Sequence, residues 1–208
     1  MTATATQVRK GRKFEQVLEG ARMVFMAQGF DGASVDEIAR TAGVSKATLY
    51  SYFPDKRILF SEVAARECLR QADEALASID TTAAPADVLD AVARRMIAFY
   101  CSGFGLAMFR LCISEAPRFP DLGRRFYESG PVLAREKLGE YLHEAMARGE
   151  LSIPDVDLAA DQFVQLCNAD LLDRKICGVQ AQITQPEIDR VVNGAIRMFL
   201  ACYGARES

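Results

Sequence analysis

The chain has 208 residues, half of them hydrophobic and a quarter charged, the balance of a folded globular protein, which excludes disordered, collagen-like and low-complexity classes. No apolar run reaches the roughly 18 residues of a spanning helix, and the small polar residues Met1 to Thr6 lead into no apolar stretch, so neither a membrane span nor a signal peptide is expected and a cytoplasmic location is. Six cysteines and the single histidine, His143, stand without C-x-x-C or clustered ligand spacing, so reduced core thiols are expected and neither a metal nor a cofactor is.

The formal net charge of −3 is unevenly placed. Residues 1 to 60 hold nine Lys or Arg against six Asp or Glu, a net of +3, and the remainder carries −6. A basic head on an acidic body concentrates attraction for phosphate at one end.

In chain order, Phe14, Val17, Leu18, Ala21, Val24 and Phe25 recur at the spacing of one helical face, and Gly29 offers a left-handed stop. Ser34 and Glu37 form a capping-box pattern ahead of the apolar face of Val35, Ile38 and Ala39. Gly43 follows at once, and Ser45 caps a short helix carrying Leu49, Tyr50, Tyr52 and Phe53. Pro54 and Asp55 suit the first turn of a fourth helix that runs to about Ile79. Further helices are predicted near 86 to 101, 104 to 115, 121 to 148, 155 to 177 and 186 to 203, punctuated by Gly103, Pro117 with Pro120, Pro154 and Gly178. Thr184, Pro186 and Glu187 give a capping signal for the last of these, and no stretch alternates with the period of a half-buried strand.

Residues 33 to 53, ASVDEIARTAGVSKATLYSYF, have the layout of a helix-turn-helix: one helix braces, a glycine reverses the chain, and the next helix presents small and polar side chains to a groove. With its flanks, QGFDGASVDEIARTAGVSKATLYSYFPDK, this segment resembles the DNA-binding domain of the TetR/AcrR family. The segment APRFPDLGRRFYESGP, at 116 to 131, is similar to a subgroup with an AefR-like C-terminal domain. The resemblance implies an all-α fold: an N-terminal three-helix head, residues 1–60, joined by a long helix to a helical body, residues 61–208, that binds a ligand and dimerises. It implies a cytoplasmic regulator that binds double-stranded operator DNA as a homodimer, most simply a repressor released by a small-molecule effector, and not an enzyme.

By position, the resemblance puts Lys46, Ala47 and Thr48 where the recognition helix meets base edges; the family commonly has glycine where this chain has Ala47. It puts Ser34, Ser45, Tyr50, Tyr52 and Lys56 where phosphates are contacted, which agrees with the chemistry of hydroxyls, helix N-termini and an ammonium. Arg9, Lys10, Arg12 and Lys13 are expected to add sequence-blind contacts from an arm before the first helix. An ordinary explanation stands beside each: the serines and Thr48 double as helix caps, one tyrosine packs under the head, and a lone lysine is often just solvated.

In the body, Phe99, Tyr100, Phe104, Met108, Phe109, Phe126 and Tyr127 are candidates to line an apolar ligand pocket, with Arg110, His143, Asn168 and Asp170 as polar partners, although side chains at such spacing are more often plain core. The two predicted helices at 155 to 177 and 186 to 203 carry enough apolar surface for a two-fold dimer contact. A thiol sensor is the alternative that six cysteines leave open, and an all-helical enzyme is a weaker one, because no phosphate loop, nucleophile elbow or ligand cluster is present.

Overall fold

The computed structural model describes residues 11–205 and is all-α. The chain divides into two compact units, Met1–Ala65 and Arg66–Ser208. The first contains α1 (Arg12–Gly32), α2 (Val35–Thr41), α3 (Lys46–Tyr52) and the opening turns of α4 (Lys56–Ser78), whose remaining turns belong to the second unit.

The head is held by aromatic rings delivered from α1, the end of α3 and the start of α4. Phe14 of α1 lies 5.2 Å from the Phe53 ring and meets Tyr52 edge-on at 5.6 Å, while Phe25 meets Phe60 edge-on at 4.9 Å, arrangements worth about 0.5–1.5 kcal/mol per pair beyond their buried area. Gly29, with φ +72° and a non-helical backbone, interrupts α1 where the stop was expected, and a short further helical stretch carries the chain to Gly32. Asp55 proves to be the cap of α4 and lies outside its first turn: its carboxylate accepts from the Arg57 amide at 2.7 Å, and its carbonyl accepts from the amides of Ile58 and Leu59. The Arg57 guanidinium and amide hold that carboxyl below the usual aspartate range.

The second unit continues with α5 (Pro85–Tyr100), α6 (Gly103–Glu115), α7 (Pro120–Tyr127), α8 (Leu133–Ala147), α9 (Val156–Asn168), α10 (Leu171–Ile176) and α11 (Gln185–Tyr203). Its core forms where α5, α8, α9 and α11 meet through Leu89, Leu142, Phe163 and Phe199, all essentially without solvent contact. Arg94 of α5 bonds Asp90 on its own helix at 2.7 Å and Asp189 of α11 at 2.6 Å. The chain end is clipped back to the loop between α8 and α9 by Ser152 N–H on the Tyr203 carbonyl and Ala205 N–H on the Glu150 carbonyl. Among the described residues no single helix is long and apolar enough to cross a membrane.

Two helices expected to be continuous are interrupted. The 121 to 148 stretch widens into a π-helical turn at Glu128–Val132, because Pro131 has no N–H to give and its ring crowds the carbonyl one turn back. The 155 to 177 stretch breaks at Ala169 and Asp170, the latter at φ +67°. The Asp170 carboxylate is gripped there by Arg190 at 2.8 Å and Arg174 at 3.3 Å, contacts that offset the cost of a left-handed non-glycine backbone.

The capping box predicted for α11 is present, with Thr184 and Glu187 bonding each other's backbone amides. The Thr184 amide and hydroxyl, Gln180 and Arg174 stabilise the charged form of Glu187 and lower its pKa from 4.5 to about 2. A folded-state pKa below the unfolded value means this contribution is complete above about pH 4.5 and is lost as pH falls toward about 2. Thermal midpoints measured down that window should fall less steeply in Glu187→Gln than in the parent protein; parallel curves would remove the capping carboxylate from the acid response.

Candidate DNA interface and effector cavity

In the head, α2 and α3 are each started by a serine. Ser34 Oγ accepts from the Glu37 amide at 3.1 Å, and Ser45 Oγ accepts from the Thr48 amide at 3.1 Å while lying 2.9 Å from the Thr48 hydroxyl. Between them Gly43 takes φ +65°, a turn that a side chain would strain. Ile38, Ala39, Leu49 and Phe53 face inward and lock the pair, leaving Lys46, Ala47 and Tyr50 exposed along α3 with Thr48 half-buried beside them. Lys46 forms an ion pair with Asp36 of α2, an exposed contact easily exchanged for another anion.

The remaining predicted contacts are placed differently. Lys56 is half-buried, and its ammonium donates to the Phe30 carbonyl at 2.7 Å and the Ala33 carbonyl at 2.9 Å while sitting 4.3 Å from the Phe30 ring centre. The structure thus gives Lys56 the work of closing the end of α1 onto α4. Tyr52 packs edge-on against Phe14, so of the two tyrosines Tyr50 is the one that faces out. Arg12 and Lys13 lie in the first turn of α1 and not in an arm ahead of it. Arg9 and Lys10 fall outside the described residues.

The second unit contains a cavity of about 270 Å³. Its walls bring together Phe99, Met108, Phe109, Phe126 and Asn168 of the predicted set, along with Tyr100. The other predicted members are elsewhere. Phe104 is buried away from the cavity. Arg110 donates to the Lys175 and Ile176 carbonyls at 3.1 and 2.6 Å, satisfying the C-terminal end of α10. His143 stands exposed on α8, and neither Tyr127 nor Asp170 reaches the wall.

What sequence reasoning missed is the contribution of α4. Cys68, Gln71, Ala72 and Ala75 form a wall of the cavity, and their spacing of three, four and seven residues was visible as one helical face. Below it Glu67 is buried, its carboxylate bonded by Arg70 and, at 3.0 Å, by the Gln71 amide nitrogen. Burial pushes the Cys68, Cys112 and Cys167 thiols up to about 12, which keeps them protonated and weakly nucleophilic at neutral pH. Burial likewise raises the Tyr100 phenol to about 12, so it remains a hydrogen-bond donor.

Residues 17–63 match the family described as bacterial regulatory proteins, tetR family, and residues 87–205, more than half of the chain, match the AefR-like transcriptional repressor C-terminal domain. The chain belongs to the TetR family. A TetR-family transcriptional regulator from Mesorhizobium loti superposes with a TM-score of 0.80 at 30% identity, covering 95% of this chain and 100% of that one. FrrA, a flavonoid-responsive regulator, superposes at 0.69 with 34% identity over 95% of this chain and 100% of its own. The repressor AcnR of Corynebacterium diphtheriae is 36% identical over 59 residues, which are 28% of this chain and 31% of AcnR, a stretch the length of the head alone. In TetR-family terms the α2–turn–α3 pair is therefore the helix-turn-helix of this protein.

Proposed function

We propose that this TetR-family protein is a homodimeric repressor whose hold on operator DNA is released by a small organic molecule bound in the cavity of the second unit. The observation that carries the proposal is α3 itself, a helix locked by Leu49 and Phe53 on one side and presenting Lys46, Ala47 and Tyr50 on the other. In this reading Lys46, Ala47 and Thr48 meet base edges, and Tyr50 with the Ser34 and Ser45 ends of the helices meets phosphate. The likeness to FrrA over 95% of this chain supports an organic effector.

Dimerisation is assigned to α9 and α11, which pack together through Phe163 and Phe199 and are pinned by Tyr203 hydroxyl on Gln162 at 2.7 Å. Leu158 and Met198 on these two helices remain more than half exposed, at 51% and 60%, and two copies would bury them in a four-helix contact. A dimer reads two half-sites only with its recognition helices roughly 34–36 Å apart or at a multiple of that repeat. The effector must therefore bind the arrangement that misses this spacing more tightly, since equal affinity shifts no population.

The test is binding of the full-length protein to a site selected from random duplexes, compared with unselected DNA. Lys46→Ala and Thr48→Ala should each weaken the selected site by about 1–3 kcal/mol, roughly five- to 150-fold, and unselected DNA much less. Equal loss on both DNAs would deny α3 the reading of sequence.

A further inference from the structure

The cavity is apolar over most of its wall, with Phe99, Phe109, Phe126, Met96 and Met108 supplying aromatic faces and thioethers, surfaces that favour a flat aromatic guest. Its volume of about 270 Å³ lies below the range of drug-sized sites and limits that guest to a few rings. The charged side chains on the wall create no buried demand for a counter-ion. Lys137 pairs with Glu140 at 3.4 Å, Asp161 pairs with Arg135 at 3.3 Å, and Arg95 is solvent-exposed.

Polar groups interrupt this wall, among them Asn168, Gln165 and the Tyr141 hydroxyl, which is buried without a partner among the described residues, and at Gln71 the hydrogen-bonding pattern is set by chemistry. A carboxylate only accepts hydrogen bonds, so the Gln71 amide must turn its nitrogen to Glu67, as it does at 3.0 Å. The Gln71 carbonyl oxygen is then left as an acceptor, and among the described residues it has no hydrogen-bond partner. Glu67 is buried and also gripped by Arg70, so this orientation is held fixed. Tyr100 lines the same cavity, and its phenol likewise has no hydrogen-bond partner among the described residues. The wall therefore offers a fixed acceptor, from Gln71, and a protonated hydroxyl, from Tyr100.

We propose that the cavity selects an uncharged, hydroxyl-bearing aromatic effector of the phenol class, whose hydroxyl donates to the Gln71 carbonyl oxygen and accepts from the Tyr100 phenol, with Glu67 as the residue that positions Gln71. A hydroxyl satisfies both groups at once. A ketone or ether satisfies Tyr100 alone and leaves the Gln71 oxygen desolvated without a partner, and a carboxylate likewise brings only acceptors to the Gln71 oxygen. The inference rests on the reading of this cavity as the effector site.

Apigenin and flavone share one ring skeleton and differ only in hydroxyl groups, so they isolate the contact. Calorimetry on the full-length protein should show apigenin binding at least about tenfold more tightly than flavone, with the ratio collapsing toward one in Gln71→Leu and, as an independent variant, in Tyr100→Phe. Equal affinities for the parent protein, no binding of either compound, or a ratio unchanged in both variants would each overturn the hydroxyl contact. DNA release measured with the same two compounds separates this from the repressor reading. Flavone and apigenin binding equally and both releasing DNA would overturn the phenol selectivity and leave the repressor intact. A clear preference for apigenin without any effect on DNA affinity would uphold the selectivity and overturn the effector role.

Discussion

Gly105→Ala should destabilise the second unit by about 2 kcal/mol or more, even though alanine is the better helix former by up to about 1 kcal/mol. A Cβ at this position would lie 2.2 Å from the Phe99 carbonyl oxygen and 3.2 Å from that of Tyr100. Both obstacles are backbone, so no side-chain rotation relieves them, and α6 must move away from the end of α5. That end carries two of the cavity's aromatic walls, Phe99 and Tyr100. The variant should therefore lower the urea midpoint and weaken binding of any cavity ligand together. The matched control Gly103→Ala, in the same first turn and with nothing within 4 Å of an added Cβ, should do neither. A Gly105→Ala protein as stable as its parent would show that the α5–α6 corner yields more easily than its geometry implies.

Lys56→Met should cost the head about 2–3 kcal/mol. The ammonium bonds the Phe30 and Ala33 carbonyls and stacks over the Phe30 ring; hydrogen bonds to a charged donor are worth about 1.5–3 kcal/mol each and the ring contact about 0.5–1, reduced here by the partial exposure of the site. Loss of the lysine leaves two carbonyls at the end of α1 without their partner. The signature that distinguishes this bracing role from a phosphate clamp is salt dependence. A clamp lost from the interface lowers the slope of affinity against salt by about 1 per contact, whereas Lys56→Met should lower thermal stability and leave the slope of the folded fraction unchanged. A flattened slope with undiminished stability would return Lys56 to the phosphate backbone.

The helix-turn-helix was legible because its signals are local. Ser34 with Glu37 and Ser45 with Thr48 each act over three residues, Gly43 turns the chain between the two pairs, and a cap or a left-handed turn is favoured wherever such residues occur. The same holds for the Thr184–Glu187 box that starts α11. The break at Asp170 was not legible, since neither glycine nor proline marks it and the arginine that helps hold it, Arg190, lies 20 residues on.

The cavity shows the same division more sharply. Phe99, Met108, Phe109 and Phe126 were identifiable as apolar and large, but Phe104 has the same chemistry and packs into solid core. Arg110 and His143 could donate hydrogen bonds to a ligand, yet one closes α10 and the other stands exposed on α8. Nothing in the sequence marks Gln71, and the buried carboxylate of Glu67 fixes which way its amide turns. By itself, then, the sequence determined helix content, the caps and turn of the head, and membership of a fold family, because periodicity and capping are properties of neighbouring residues. Which apolar side chains surround open space, which lysine braces and which faces outward, and which amide oxygen is left without a partner were decided only by tertiary structure. Each of those depends on groups that folding brings together from 23 or more residues away, as the Lys56 contact to the Ala33 carbonyl does, or on the burial that folding imposes.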